Sequence, residues 1–139
     1  MMCYENGGIV DDFLVHKVAD DRYMLCVNAS NTYKDFQWLL ENKIYGTQVI
    51  NVSSDTAQLA LQGPAAEKIL QQVVAMDLSD LQHYHFRTEK AKRVEVLIAR
   101  TGYTGEDGFE IYFKEDYAEY LFRNILEAGK KNGIMPIGL

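Results

Sequence analysis

Residues 93–113, which read RVEVLIARTGYTGEDGFEIYF, decide the fold class of this chain. Apolar side chains at every second position of Arg93–Arg100 predict a strand with one face turned to a core. A glycine-rich turn follows, and Gly108–Phe113 is predicted to return beside that strand. Glycine tolerates a positive φ and a close backbone approach, so it suits such a turn. The segment therefore predicts antiparallel sheet with an acidic turn at one end, where Glu106 and Asp107 shape the turn.

The rest of the chain extends this pattern. Residues 9–18 and Tyr23–Asn28 predict a hairpin, and a helix is predicted from Ser30 or Asn31 to about Lys43. That helix is predicted to bury Tyr33, Phe36, Leu39 and Leu40 and to keep Lys34, Asp35 and Glu41 outside the buried face. Other predicted elements are strands at Gln48–Val52 and Thr56–Leu61 and helices that begin at Gly63-Pro64 and at Asp116. The order of elements predicts an α+β fold with a predominantly antiparallel sheet and packed helices.

The length and composition indicate one acidic domain with enough apolar residues to form a hydrophobic core. The 139 residues are 47% hydrophobic and carry 14 basic against 20 acidic side chains, for a net charge of -6. This balance argues against nucleic-acid binding, which depends on basic patches that neutralise phosphates. The two cysteines lie outside any metal-ligand spacing, so no metal site is expected. Without a signal peptide pattern or an apolar run of ~18 residues, the sequence favours a cytoplasmic enzyme that binds no membrane.

A second glycine-lined turn, Gly7–Asp12, delivers two adjacent acids to the start of a strand. Since side chains alternate along a strand, Asp11 and Asp12 point to opposite faces and only one of them can face a pocket. A carboxylate from which water is partly excluded can hold a cation, orient a heterocycle or move a proton. The same alternation puts Glu110 on the face opposite Phe109. From the residues alone, a solvated acid is the more common explanation for each of these carboxylates.

Four segments together resemble one known family, the aminomethyltransferases of the glycine cleavage system, or T-proteins. They are Gly7–Asp12, Tyr23–Trp38, Ala57–Pro64 and Thr101–Glu110, in the order and spacing of the family. Gly129–Leu139 resembles the lead-in to a further family motif that contains an arginine. Because T-proteins are several hundred residues long, the resemblance implies an interior fragment, a partial tetrahydrofolate-binding region whose N-terminal flank and C-terminal domain are absent. We therefore expect the isolated fragment to be inactive and to self-associate.

The resemblance also implies a reaction and its participants. The family transfers the methylene of an aminomethyl group, carried on the lipoyl arm of the H-protein, to tetrahydrofolate and releases ammonia. Tetrahydrofolate is thus the implied acceptor substrate and the lipoylated H-protein is the implied partner. The implied location is the cytoplasm, or the mitochondrial matrix in a eukaryote.

The resemblance assigns roles to five residues. Asp11 matches the essential aspartate of the family, which lies beside the reactive edge of folate. Glu110 matches the residue that grips the pterin, and Tyr103 lines the same pocket. Asn28 and Val27 match positions at the folate cleft, although an asparagine that ends a strand before a helix explains Asn28 equally well.

Two other functions use related features. One is the tetrahydrofolate-binding domain of a related demethylase, or of a dimethylglycine or sarcosine dehydrogenase, which has the same kind of folate site. The other is a non-catalytic folate-binding factor that assists iron–sulfur assembly, whose lysine-glycine-cysteine signature has no match in this sequence. The similarity around Gly7–Asp12 and Thr101–Glu110 favours the T-protein family.

Overall fold

The computed structural model describes residues 1–138, so Leu139, the last residue of the predicted lead-in segment, lies outside the described residues. The chain divides into two compact units, Met1–Asn51 and Val52–Leu139. Every strand pair within residues 1–138 is antiparallel, and each unit contains helix, which confirms the predicted α+β class. None of the helices in that range combines the length and the apolar character that crossing a bilayer requires.

The first unit holds two strand pairs and one α-helix. Its elements are β1 (Met2–Cys3), β2 (Ile9–Asp11), β3 (Leu14–Ala19), β4 (Arg22–Cys26) and α1 (Thr32–Asn42). β1 pairs with β2, and β3 pairs with β4, which confirms the predicted hairpin. The strand predicted over residues 9–18 is interrupted, because Asp12 and Phe13 belong to neither β2 nor β3. A 3-10 turn at Ala29–Asn31 leads into α1.

The second unit is a four-stranded sheet with two helices. Its elements are β5 (Thr56–Gln62), α2 (Ala66–Leu70), β6 (Phe86–Ala91), β7 (Val94–Ala99), β8 (Gly108–Lys114) and α3 (Ala118–Gly129). The strand order is β5-β8-β7-β6, so β8 lies inside the sheet. Ile98 on β7 and Ile111 on β8 are directly opposite each other and share a core with Leu70 of α2 and Leu121 of α3. This packing covers one face of the sheet and leaves the other face of β8 for polar side chains.

The structure differs from the sequence prediction at two strands. Gln48–Val52 forms no strand, because valine and isoleucine side chains do not make one unless a neighbouring strand accepts and donates the backbone hydrogen bonds. β6 was not predicted, since its sequence FRTEKA carries charges where a core strand has apolar side chains. It pairs with β7 at the edge of the sheet, where charged residues protect against unwanted strand pairing.

The orientation of α1 is the third difference. Asp35 was predicted to lie outside the buried face, yet its side chain is fully buried, whereas Tyr33 is 77% exposed. Phe36 and the two leucines of the predicted stripe are only partly buried. The apolar pattern therefore does not set the rotation of α1 by itself, and the polar groups around Asp35 must be considered.

Candidate functional site

The Asp11 carboxylate is the centre of a hydrogen-bonded cluster in the first unit. It lies at the end of β2 with 6% of its surface exposed. Its Oδ1 accepts hydrogen bonds from the side-chain amides of Asn28 at 3.0 Å and Asn31 at 2.9 Å. The neighbouring Asp12, which lies just beyond β2, is exposed, and its carbonyl accepts a bond from the Asn28 amide at 3.0 Å. The two amides therefore orient one acid, while the other remains in solvent.

The local sequence explains how two asparagines reach Asp11. Asn28 closely follows β4, and Asn31, one of the two helix starts that the sequence allowed, is the N-cap residue of α1. An asparagine at this position usually accepts a hydrogen bond from the first helical turn, which stabilises the helix by about 1 kcal/mol. Asn31 makes no such side-chain bond and donates to Asp11 instead. Departures from local rules of this kind are expected at functional sites.

Asp35 is the second carboxyl group of this cluster. Burial raises the pKa of Asp35 to about 6, and the neighbouring Asp11 carboxyl group acts in the same direction. Burial acts in the same direction on Asp11, but its interactions with Asp35, Asn28 and Asn31 outweigh burial and lower the pKa of Asp11 to about 2. Asp11 therefore stays ionised at neutral and mildly acidic pH, and Asp35 is the acid that takes up a proton first, as the pH falls toward 6.

Glu110 is the buried carboxylate of the second unit. A glutamate on a strand is usually solvated, but here only 5% of the residue is exposed. Its Oε1 accepts a hydrogen bond from the Gln58 amide at 2.9 Å. Its Oε2 accepts bonds from the hydroxyls of Thr101 at 2.5 Å and Tyr112 at 3.2 Å. Three protein donors thus compensate for the burial of the carboxylate.

The register of the sheet explains why a carboxylate fits inside it. The residues directly opposite Glu110 are Ala60 on β5 and Ala99 on β7. Directly opposite residues share a face of the sheet, so two methyl side chains leave room for the acid and its donors. Phe109 and Ile111 point the other way, into the core. One face of β8 therefore supplies core, and the opposite face supplies a polar network.

Arg100 fixes the loop between β7 and β8. Its guanidinium donates two bonds to Asp107, at 2.8 and 2.6 Å, and one bond of 2.7 Å to Glu67. It also donates to the carbonyls of Leu78 and Leu81, both at 3.1 Å. The paired carboxylates, Asp107 above all, raise the pKa of Arg100, and Arg100 lowers the pKa of Asp107. Asp107 therefore shapes the turn, as the sequence predicts.

Two glycines of this loop are required by the side chain of Gln62. Its amide donates to the carbonyls of Thr101 at 3.1 Å and Phe109 at 3.3 Å, across the base of the loop. A Cβ atom on Gly102 would lie 1.9 Å from Gln62 Oε1, and one on Gly108 would lie 2.2 Å from it. These glycines thus allow the close approach that the sequence predicts, and the group that approaches is a protein side chain.

Val27 and Tyr103 complete the set of predicted site residues. Val27 is half-buried next to Asn28, and Tyr103 is 80% exposed in the loop after β7. The structure brings Asp11 and Asn28 into one cluster of the first unit, and Glu110 belongs to the second unit. Within residues 1–138, no three His, Cys, Asp or Glu side chains are grouped to hold a metal ion. The roles of these residues toward folate stay predictions.

Sequence reasoning missed Asn31 as a partner of Asp11, and it placed Asp35 outside the buried face of the helix, which is wrong. A signal for both was present, since residues four apart lie on the same face of a helix. Asn31 and Asp35 have this spacing, and the first of them begins the helix. A polar pair at this spacing next to an apolar stripe is weak evidence for a buried cluster, because the same pattern occurs on ordinary solvated helix faces.

Two solved structures share this fold. The glycine cleavage system aminomethyltransferase T from Bartonella henselae has a TM-score of 0.77 and 35% identity, over 90% of this chain and 33% of that chain. The heterotetrameric sarcosine oxidase from Corynebacterium sp. U-96, in complex with pyrrole 2-carboxylate, has a TM-score of 0.70. Its identity is 22%, over 94% of this chain and 66% of that chain, so it shows the fold alone. The fold is thus the one found in T-protein aminomethyltransferase domains.

Sequence comparison leads to the same class. A family profile described as the GCVT N-terminal domain matches residues 1–139, and the chain belongs to this family. An aminomethyltransferase of Anoxybacillus flavithermus is 54% identical over 140 residues, which cover 100% of this chain and 38% of that protein. An aminomethyltransferase of Bacillus mycoides is 50% identical over 139 residues, which cover 99% of this chain and 38% of that protein. The chain therefore spans 38% of the length of these curated relatives.

Proposed function

We propose that this chain supplies the tetrahydrofolate-binding region of an aminomethyltransferase of the glycine cleavage system. The reaction moves the methylene of an aminomethyl group from the lipoyl arm of the H-protein to tetrahydrofolate and releases ammonia and dihydrolipoyl. Family membership over residues 1–139 and the names of the relatives support this class of reaction. The observation that carries the proposal is the Asp11 carboxylate, which is buried, oriented by two amides and ionised at neutral pH.

Asp11 suits the charge that develops in this reaction. As the aminomethyl carbon loses its bonds to sulfur and to ammonia, positive charge builds up on the carbon. A fixed carboxylate nearby stabilises that charge without having to reorient, because Asn28 and Asn31 already hold its Oδ1. Two new bonds join the carbon to folate nitrogens, and the two protons that these nitrogens lose leave with ammonia and with the thiol. The same carboxylate orients a folate nitrogen for attack.

Glu110 suits the ring edge of the pterin, which presents two parallel N–H groups. A carboxylate that accepts both forms a strong and directional pair. An ionised carboxylate has about four acceptor positions, and protein donors take three of them in the structure. Binding of the ring edge therefore needs one existing donor to move. We assign this to the Tyr112 hydroxyl, whose bond of 3.2 Å is the longest of the three.

The loop between β7 and β8 supports this role of Glu110. Thr101 donates to Glu110 through its hydroxyl and accepts from Gln62 through its carbonyl. Arg100, the preceding residue, is held by Asp107 and Glu67. These bonds position Thr101 before any ligand binds, which is the arrangement expected of a preorganised site.

Since the relatives named above are bacterial, we propose that the protein acts in the cytoplasm.

The direct test exchanges the matching segment of the Anoxybacillus enzyme for this chain, because the two are 54% identical over 140 residues. We expect the purified chimera to form methylenetetrahydrofolate and ammonia from aminomethylated H-protein and tetrahydrofolate. Circular dichroism against the parent enzyme checks that the chimera folds. A folded chimera that binds no tetrahydrofolate contradicts the proposal. Binding without turnover on the H-protein contradicts the aminomethyltransferase and favours the tetrahydrofolate domain of a related demethylase.

A further inference from the structure

Asp35 is buried in a way that ordinary helix packing does not explain. Its side chain is fully buried, and neither of its carboxyl oxygens accepts a hydrogen bond from an N–H or O–H group of residues 1–138. The same holds for Asp11 Oδ2, whereas Asp11 Oδ1 accepts bonds from two amides. Three buried carboxyl oxygens without such a donor are costly, and the cost is highest when both groups are ionised. A proton held between the two acids relieves it.

The charged groups around Asp35 do not replace that proton. Asp11 and Lys34 are the charged groups that act on Asp35, the first raising and the second lowering its pKa. Lys34 Nζ lies 3.9 Å from Asp35 Oδ1, which is too far for a hydrogen bond. The ammonium donates to the carbonyl of Val10 instead, and the Lys34 side chain is 46% exposed. Asn28 and Asn31, the neutral groups of the cluster, are both committed to Asp11 Oδ1.

We propose that Asp35 is a positioning residue that donates its carboxylic acid proton to Asp11 Oδ2 and so locks the Asp11 carboxylate in one orientation. Asp11 is then held from both sides, by two amides on Oδ1 and by one acid on Oδ2. The raised pKa of Asp35 and the lowered pKa of Asp11 agree with this distribution of the proton. The effect of Asp35 on turnover depends on the function proposed above for Asp11, whereas the shared proton does not.

The first test follows the carboxyl carbons of the 139-residue chain by NMR as the pH is raised. We expect one aspartate to titrate near pH 6, because the pKa of Asp35 is about 6. Asp11 should report the same transition through its hydrogen bond and stay ionised down to low pH. Asp35→Asn should abolish the transition near pH 6, and the matched control Asp12→Asn, at the exposed neighbour, should leave it unchanged. A wild-type chain in which no aspartate titrates above pH 5 overturns the proposal.

The second test uses turnover of the chimera described above. Asparagine at position 35 supplies a permanent N–H donor to Asp11, so Asp35→Asn should keep kcat within about threefold of the parent at pH 5.5. As the pH rises to 8, the parent loses its donor while the variant keeps it, so the ratio of variant to parent kcat should increase. Asp35→Leu removes the donor at every pH and should lower kcat roughly tenfold or more, with KM for tetrahydrofolate little changed.

The outcomes separate the two proposals. The expected titration together with a chimera that shows no turnover supports the shared proton and contradicts the proposed function. A turnover ratio that does not change with pH, or equal losses in Asp35→Asn and Asp35→Leu, overturns the positioning role even if the enzyme is active. If Asp35→Leu fails to fold, the pH dependence of kcat in Asp35→Asn still tests the positioning role, since that variant keeps the shape of the side chain.

Discussion

At the scale of single residues, Asp11 and Asp12 form a matched pair within one chain. They are adjacent and chemically identical, but Asp11 is buried and held by amides while Asp12 is exposed. We expect Asp11→Asn to lower kcat of the chimera by roughly tenfold or more, because it removes charge from the reacting centre and keeps the shape. Asp12→Asn should have a much smaller effect. Steady-state kinetics with H-protein and tetrahydrofolate measures both, and equal losses contradict the assignment of Asp11.

Glu110 can be tested against Glu106, which lies in the same loop region and is exposed. Glu110→Gln should weaken tetrahydrofolate binding by about 1.5–3 kcal/mol, the range for hydrogen bonds to a charged group. Glu106→Gln should leave binding unchanged. Because the new amide would face three protein donors, Glu110→Gln also lowers Tm. Calorimetry at a temperature where both variants are folded separates the two effects, and unchanged affinity removes Glu110 from the site.

At the scale of elements, β2 and α1 contribute the acids Asp11 and Asp35 to one cluster, and these acids make the free energy of unfolding depend on pH. The pKa of Asp35 is raised from 3.8 to about 6 in the folded state, so its contribution is fully present below pH 3.8 and is lost as the pH rises through 6. The lowered pKa of Asp11 acts oppositely, with stability lost as the pH falls from 3.8 toward 2. Asp35→Asn should therefore gain stability relative to wild type between pH 4 and pH 7. Urea unfolding across this range measures the difference, and a constant difference argues against a raised pKa.

The loop between β7 and β8 can be tested by a double-mutant cycle. Gly102→Ala places a methyl group where the Gln62 carboxamide lies, so it should cost about 1–3 kcal/mol of unfolding free energy. Gln62→Ala should cost a similar amount by removing two hydrogen bonds, but the double variant should lose less than the sum. Chemical denaturation measures the cycle, with Gly138→Ala as a control, since no atom of residues 1–136 lies within 4 Å of its Cβ position. Strict additivity means that Gln62 does not explain the glycine.

The same elements show what sequence can and cannot predict. β7 and β8 were predicted because their apolar alternation and the glycine turn are local signals that agree with each other. Gln48–Val52 was predicted wrongly, because strand pairing depends on a partner far away in the chain. The position of Asp35 was predicted wrongly for a related reason, since Asp11, the acid that raises its pKa, lies in a different element. The glycines at 102 and 108 were noticed, but their cause lies in Gln62, which no local pattern connects to them.

At the scale of the whole molecule, the chain spans 38% of its relatives' length, and its first unit exposes large apolar side chains. Ile44 is 79% exposed, Tyr45 is fully exposed and Ile50 is 71% exposed, all in the segment that follows α1. Exposed apolar side chains close together in the sequence favour association in water. We therefore expect the purified 139-residue chain to form dimers or larger species at micromolar concentration.

The double variant Ile44→Ser with Tyr45→Ser should shift this equilibrium toward monomer, whereas Tyr84→Ser, at an exposed tyrosine of the second unit, should not. Light scattering combined with size exclusion measures the masses of these species. The chosen concentration, about 100 μM, is well above the expected dissociation constant. A wild-type chain that stays monomeric at this concentration contradicts the prediction.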